Sequence, residues 1–157
     1  MNRRNPAKES FLRLVPQSTV ESACDKFSSL AFSLQFFDAS QPTGQNFSDW
    51  NHVQLVKLLE KLKNYCGSPL EYWRRMPIGH GTSHVLDIYG NFPNKSDFLF
   101  PKHVPMDVKW GRFRLEDDMR LPGFIVDPEQ CSKLSLASNI FYIVFLDQNH
   151  RFCLPEN

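Results

Sequence analysis

Arg112, Arg114 and Arg120 are the densest run of chemistry-bearing side chains in the sequence. They lie in Trp110-Gly111-Arg112-Phe113-Arg114-Leu115 and in Met119-Arg120-Leu121-Pro122-Gly123-Phe124-Ile125-Val126. Arg112 and Arg114 are two residues apart, so an extended chain turns both toward one face and Phe113 and Leu115 toward the other. A guanidinium grips phosphate through paired N–H donors and stays charged at physiological pH. His150 follows in Asp147-Gln148-Asn149-His150-Arg151-Phe152. An imidazole titrating near neutrality takes a proton from a ribose 2′-hydroxyl or gives one to a leaving 5′-oxygen. These are the residue types needed for metal-independent attack of a 2′-hydroxyl on the adjacent phosphate. His150 is the expected acid or base. Arg114 and Arg120 are expected to steady the pentacoordinate phosphate, and Arg112 to hold it, chiefly by electrostatics. Lys109, Tyr142 and Arg151 stand in or beside the same segments and are candidates for substrate binding.

Each of these residues also has a purely structural reading. Arg112 and Arg114 on a solvated strand face would pair with Glu116, Asp117 and Asp118 just beyond. Arg120 would bridge to Asp117 or Asp118. Asp147 can orient the imidazole of His150, or Asp147 to His150 can be a simple polar turn. The sequence leaves both readings open. His80, His84 and His103 with Asp87 or Asp107 offer metal ligands, but Gly79 and Gly81 break the helical turn that the His80–His84 spacing would need. There is no phosphate-binding glycine loop and no nucleophile elbow. Cys24, Cys66, Cys131 and Cys153 form no C-x-x-C pair. No metal and no cofactor is expected.

The elements that must position the arginines are legible in outline. Leu30, Phe32, Leu34 and Phe36 alternate with polar residues and predict a strand within 28–38. Leu55, Leu58, Leu59 and Leu62 recur at helical spacing behind Ser48, an expected N-cap, and Asp49. Gly67 is the expected stop, and Ser68-Pro69 opens a second, shorter helix through Met76. Tyr72, Trp73, Arg74 and Arg75 make an aromatic-basic cluster, with Trp73 expected in the core. Residues 78–107 read as an irregular insertion, with a short strand at Val85 to Tyr89. Aromatic and β-branched runs at 110–115, 120–126 and 140–152 predict antiparallel strands. The expected fold is α+β, with two helices packed on an antiparallel sheet. Residues 1–15 are expected to be a flexible arm and 16–157 a single domain.

The order strand, helix, helix, strands resembles the RelE/ParE toxin superfamily. The likeness rests on residues 30–75, on Gly111-Arg112-Phe113-Arg114-Leu115, on Arg120 to Val126, and on Ile140 to Phe152. The resemblance implies a toxin of a toxin–antitoxin pair, acting on RNA or the ribosome as an endoribonuclease and neutralised by an antitoxin. The chain is longer than is typical of that family and far less basic.

With 157 residues, 41% of them hydrophobic and 22% charged, the chain has ordinary globular composition. Its 18 Lys and Arg against 17 Asp and Glu leave a net charge of +1. Any nucleic-acid surface must therefore be local. No secretory signal and no membrane-spanning run is visible, so a cytoplasmic protein with reduced thiols is expected. A second class of function fits the same balance: a non-catalytic binding protein, such as a subunit or inhibitor in a bacterial or phage defence complex.

Overall fold

The computed structural model describes residues 29–155. The arm expected at 1–15 and Cys24 lie outside them. In chain order the elements are β1 (Ala31–Ser33), a 3-10 turn (Phe47–Asp49), α1 (His52–Tyr65), α2 (Leu70–Arg75), β2 (Leu86–Gly90), β3 (Lys109–Arg114), β4 (Arg120–Ile125), a second 3-10 turn (Pro128–Gln130), the single-turn α3 (Cys131–Leu134) and β5 (Ile140–Ile143). The fold is α+β. One five-stranded sheet runs in the order β1-β5-β4-β3-β2.

The sheet is mixed rather than wholly antiparallel. Neighbouring strands from β2 to β5 are antiparallel, but β1 lies parallel to β5, with Ala31 beside Ile140 and Ser33 beside Tyr142. Two parallel strands need a long crossover, and here everything between β1 and β5 supplies it. β1 is also shorter than its alternation predicts. The Phe37 N–H donates to the Leu34 carbonyl at 3.0 Å and turns the chain. Leu30 and Phe32 therefore pack on the helical side, Phe36 crosses to the other side, and Leu34 stays exposed.

The start of α1 also differs from expectation. Asn51 and Gln54 cap each other, side chain to backbone, at 2.9 Å in both directions. Asp49 instead reaches back to the Asn46 N–H at 2.7 Å and closes the preceding 3-10 turn. This capping box satisfies two N–H groups that a Ser48 cap would leave open. Of the leucine stripe only Leu58 is fully buried; Leu59 is 64% exposed.

The helices cover one face of the sheet. Leu58, Tyr65, Leu70 and Trp73 meet Phe113, Leu121, Phe141 and Ile143 there. Trp73 is a core anchor, and its indole N–H donates to the Tyr65 carbonyl at 2.7 Å. The second face is not open. The segment expected to be an irregular insertion contributes β2 and then folds back, so that Phe92, Phe98, Phe100 and Val104 join Trp110, Phe124, Phe145 and Phe152 in a second core. Trp110 is the hub of that core, with Phe92, Phe100, Phe124, Phe145 and Phe152 around it. No helix among the described residues is long and apolar enough to cross a membrane.

Gly111 and Gly123 face each other across β3 and β4. A Cβ on Gly123 would lie 2.2 Å from the Tyr142 carbonyl oxygen and 2.7 Å from the Phe141 ring. No side chain fits there without moving β5.

The insertion is therefore structural. Phe98 is 2% exposed and sits 4.4 Å, centre to centre, from Phe145. Phe98→Ala should cost about 3–5 kcal/mol, the range for removing a buried aromatic side chain, measured by urea unfolding. A loss below about 0.5 kcal/mol, as on a solvated loop, would show that this segment does not hold the second face.

Candidate functional site

The aromatic core on the second face runs out toward the ends of β3 and β4, and there the arginines begin. Trp110, Arg112 and Arg114 share one side of β3. Sheet register sets Arg112 between Asp87 of β2 and Pro122 of β4, and sets Arg114 directly opposite Arg120. Arg120 in turn pairs with Asp147, backbone to backbone in both directions, at 2.7 and 3.1 Å. The row Arg114–Arg120–Asp147 thus crosses the sheet. The Tyr65 hydroxyl donates to the Arg114 carbonyl at 2.6 Å and fixes the end of β3 from below. Burial pushes the pKa of that phenol up to about 12, so it remains a donor.

Two like charges directly across a strand pair oppose folding, and Arg120 is only 4% exposed. Its Nη1 donates to the carbonyls of Asp117 at 2.7 Å and Met119 at 2.9 Å. Its Nε is buried with no partner among the described residues. Burial, then the charges of Arg114 and Arg112, lower the pKa of Arg120, although a guanidinium remains protonated in a protein. The acidic triplet forms no ion pair with Arg114 or Arg120, although the charges of Asp118 and Asp147 act on Arg120 from a distance. Glu116 pairs with Lys57 at 2.7 Å, and Arg120 takes the carbonyl of Asp117 rather than its carboxylate. None of the ion pairs among the described residues involves Arg114 or Arg120.

His150 reaches the same place from the far end of the chain. The Asp147 carboxylate, wholly buried, accepts the N–H groups of Arg151 and Phe152, each at 2.9 Å. Gln45 accepts the Gln148 N–H at 2.7 Å. Between these ties His150 takes a left-handed conformation, with φ at 55°, a region that His enters more readily than most residues. The carboxylate of Asp147 shapes the loop rather than binding the imidazole directly. The Nε2 of His150 rests against Nη1 of Arg112. A guanidinium has no acceptor, so this contact can be a hydrogen bond only with Nε2 as the bare nitrogen and Nδ1 carrying the hydrogen. Burial, followed by the charges of Arg112 and Arg120, holds the imidazole pKa below its ordinary value. His150 is a neutral acceptor at neutral pH. Arg112 completes the group with Asp87 at 3.9 Å and with its guanidinium 5.7 Å from the centre of the Tyr89 ring.

The structure brings together Arg112, Arg114, Arg120 and His150. It separates the other three candidates from them. Lys109 lies at the opposite end of β3, on the opposite side, and pairs with Asp127 at 2.8 Å. Tyr142 is buried; its hydroxyl accepts the Ala137 N–H at 2.8 Å and its ring stacks on Phe124. Arg151 turns to Asp97, with its Nε 2.6 Å from the carboxylate. Asp87 and Tyr89 join the site through register with β3, which only the pairing of β2 reveals. The Nε2–H of His103 donates to the Phe36 carbonyl at 3.0 Å, and His84 sits 3.7 Å from Asp87. No group of three or more metal-ligating side chains gathers among the described residues.

Chemically, the cluster offers three cations with donors to spare and one neutral imidazole, at the edge of a dry aromatic core. Such a constellation suits a partly desolvated oxyanion. Comparison with known family models, with curated proteins and with solved structures gives no match.

The depressed pKa of His150 has a consequence for stability. In the window between the folded and unfolded pKa values the unfolded chain binds more protons, so stability falls as the pH drops. The His150 contribution is complete above about pH 6.5, the unfolded value, and is lost as the pH falls through that window. His150→Asn, whose side chain tolerates the left-handed turn, should lose less stability than wild type between pH 6.5 and 5. Parallel urea titrations at several pH values measure this, and equal slopes would exclude a neutral, half-buried His150.

Proposed function

We propose that the chain is a metal-independent endoribonuclease of the RelE-like kind. The observation that carries this reading is the cross-strand pair Arg114–Arg120, uncompensated by any ion pair among the described residues, with a buried Arg120 Nε awaiting an acceptor. A sheet that places two like charges side by side and buries one of them loses stability for a use other than folding. The order strand, helix, helix, strands supports the family likeness.

In this reading a phosphodiester sits across Arg114 and Arg120, with its non-bridging oxygens on their donors. Arg112 turns from His150 to the same phosphate. As the 2′-oxygen bonds to phosphorus its own proton passes to water, the bond to the 5′-oxygen breaks, and Nε2 of His150, protonated once Arg112 has left it, gives up its proton as general acid. The proton ends on that 5′-oxygen, leaving a 2′,3′-cyclic phosphate and a free 5′-hydroxyl. RNA is the substrate because DNA lacks the attacking group. An antitoxin partner, a ribosome-bound message and a cytoplasmic setting belong to the same proposal.

A second reading, a non-catalytic subunit of a defence complex, has its own observation. Leu34 and Leu59 are exposed beside a groove of about 330 Å³ between β1 and α1, whose walls include Phe32, Phe47, Leu55 and Leu62.

Inducible expression in a bacterium, reading growth and total RNA together, tests the choice. Wild type should arrest growth and cut transcripts, leaving cyclic phosphate ends. Arg114→Ala and His150→Ala should each lower cleavage by about 10²-fold or more, the usual loss for one transition-state partner. Arg114→Ala should do so with unchanged or higher thermal stability, since it relieves the repulsion with Arg120. Intact RNA and normal growth with soluble, folded protein would overturn the nuclease. A phenotype abolished by Leu59→Lys but untouched by Arg114→Ala would support the binding subunit.

A further inference from the structure

We propose that the contact between Arg112 and His150 is a proton-operated latch on the anion site, so that an anion entering the cluster is bound together with a proton. This rests on the reading that the arginine cluster binds a phosphodiester, and it adds how that binding is regulated. The contact joins Nη1 of Arg112 to Nε2 of His150. Arginine only donates, and an imidazolium only donates. The latch therefore holds only while Nε2 is bare. Once Nε2 takes a proton, two N–H groups and two positive charges face each other, and the contact opens. Both side chains then have donors free for an anion lying between them and Arg114.

The surroundings decide which partner moves. The His150 backbone is pinned by Asp147 and by the Gln45–Gln148 hydrogen bond. The Arg112 guanidinium, among the described residues, has no hydrogen bond besides the one to His150: Asp87 at 3.9 Å is beyond hydrogen-bonding distance and the Tyr89 ring offers only its face. Arg112 is the part that swings. Without an anion, neutral His150 keeps it folded away beside Asp87. The latch thus acts against binding at high pH and with binding at low pH.

Groups facing the imidazole come from every side. Arg112 lies on β3, Arg120 on β4, Asp118 on the turn before it, and Asp147 on the same loop, while Asp87 and Tyr89 on β2 face Arg112. Two imidazoles stand in this neighbourhood, His150 and, beside Asp87, His84.

Sulfate and a short 2′-deoxy oligonucleotide serve as probes, because both stay ionised across that range and neither is cleaved. Calorimetric affinities at pH 5 to 8 would be read beside the NMR titration of the His150 ring. Binding should tighten as the pH falls, approaching about tenfold per pH unit at its steepest, the limit for one linked proton. His150 should titrate higher with the anion bound. His150→Asn should bind with an affinity that is flat in pH, while His84→Asn should keep the wild-type slope. Affinity independent of pH in the wild type, or an unchanged slope in His150→Asn, overturns the latch and leaves the anion site standing. No binding to the folded protein at any pH removes the anion site and the latch with it.

Discussion

Asp147 has no exposed surface, yet its side chain and its backbone are both fully engaged. The carboxylate gathers two N–H groups of the following loop, and the backbone exchanges two hydrogen bonds with Arg120. A buried carboxylate is costly to desolvate, and hydrogen bonds to its charged form are what make it tolerable. Those bonds turn the chain so that His150 returns over β3 and Phe152 drops into the second core. The same residue thus fixes the end of β4, the imidazole and one anchor of the aromatic cluster. Removing it would disconnect chemistry from scaffold at one stroke.

The two faces of the sheet divide the work. The helical face holds β3 from beneath, through Phe113 and the Tyr65 hydroxyl on the Arg114 carbonyl. The aromatic face builds a dry floor up to Trp110 and Pro122 and then stops. Arg112, Arg114 and Arg120 stand where that floor ends, partly withdrawn from water. Burial first, and then the fields of the neighbouring arginines, less screened there than on an open surface, hold the pKa values of Arg120 and His150 down.

Much of this was legible in the residues, and the losses have physical reasons. The α+β order and the two helices follow from periodicity and capping, which are local. The shared side of Arg112 and Arg114 needs only an extended chain. The meeting of Arg112 with His150 does not follow from any local pattern. It depends on register across β3, β4 and the segment after β5, set by contacts between residues 38 apart. Lys109 and Tyr142 looked available because the sequence shows neither which end of β3 meets β4's arginine nor that residues 91–107 cover the second face. The alternation at Leu30 to Phe36 predicted a longer strand because the turn from Leu34 to Phe37 breaks it without glycine or proline. Ser48 was a fair cap in isolation and lost to a reciprocal pair three residues further on.

The parallel pairing of Ala31 with Ile140 orders events in time. Strand β5 lies between β1 and β4, so the sheet cannot close until the chain has left the ribosome as far as β5. Before then β4 has one bare edge, β1 has no neighbour, and His150 does not yet exist beside Arg112. Contacts of such sequence separation form late and slowly. Assembly of the arginine cluster is thereby tied to synthesis past residue 150, and a chain that stops short of it carries its cations without the histidine that meets Arg112.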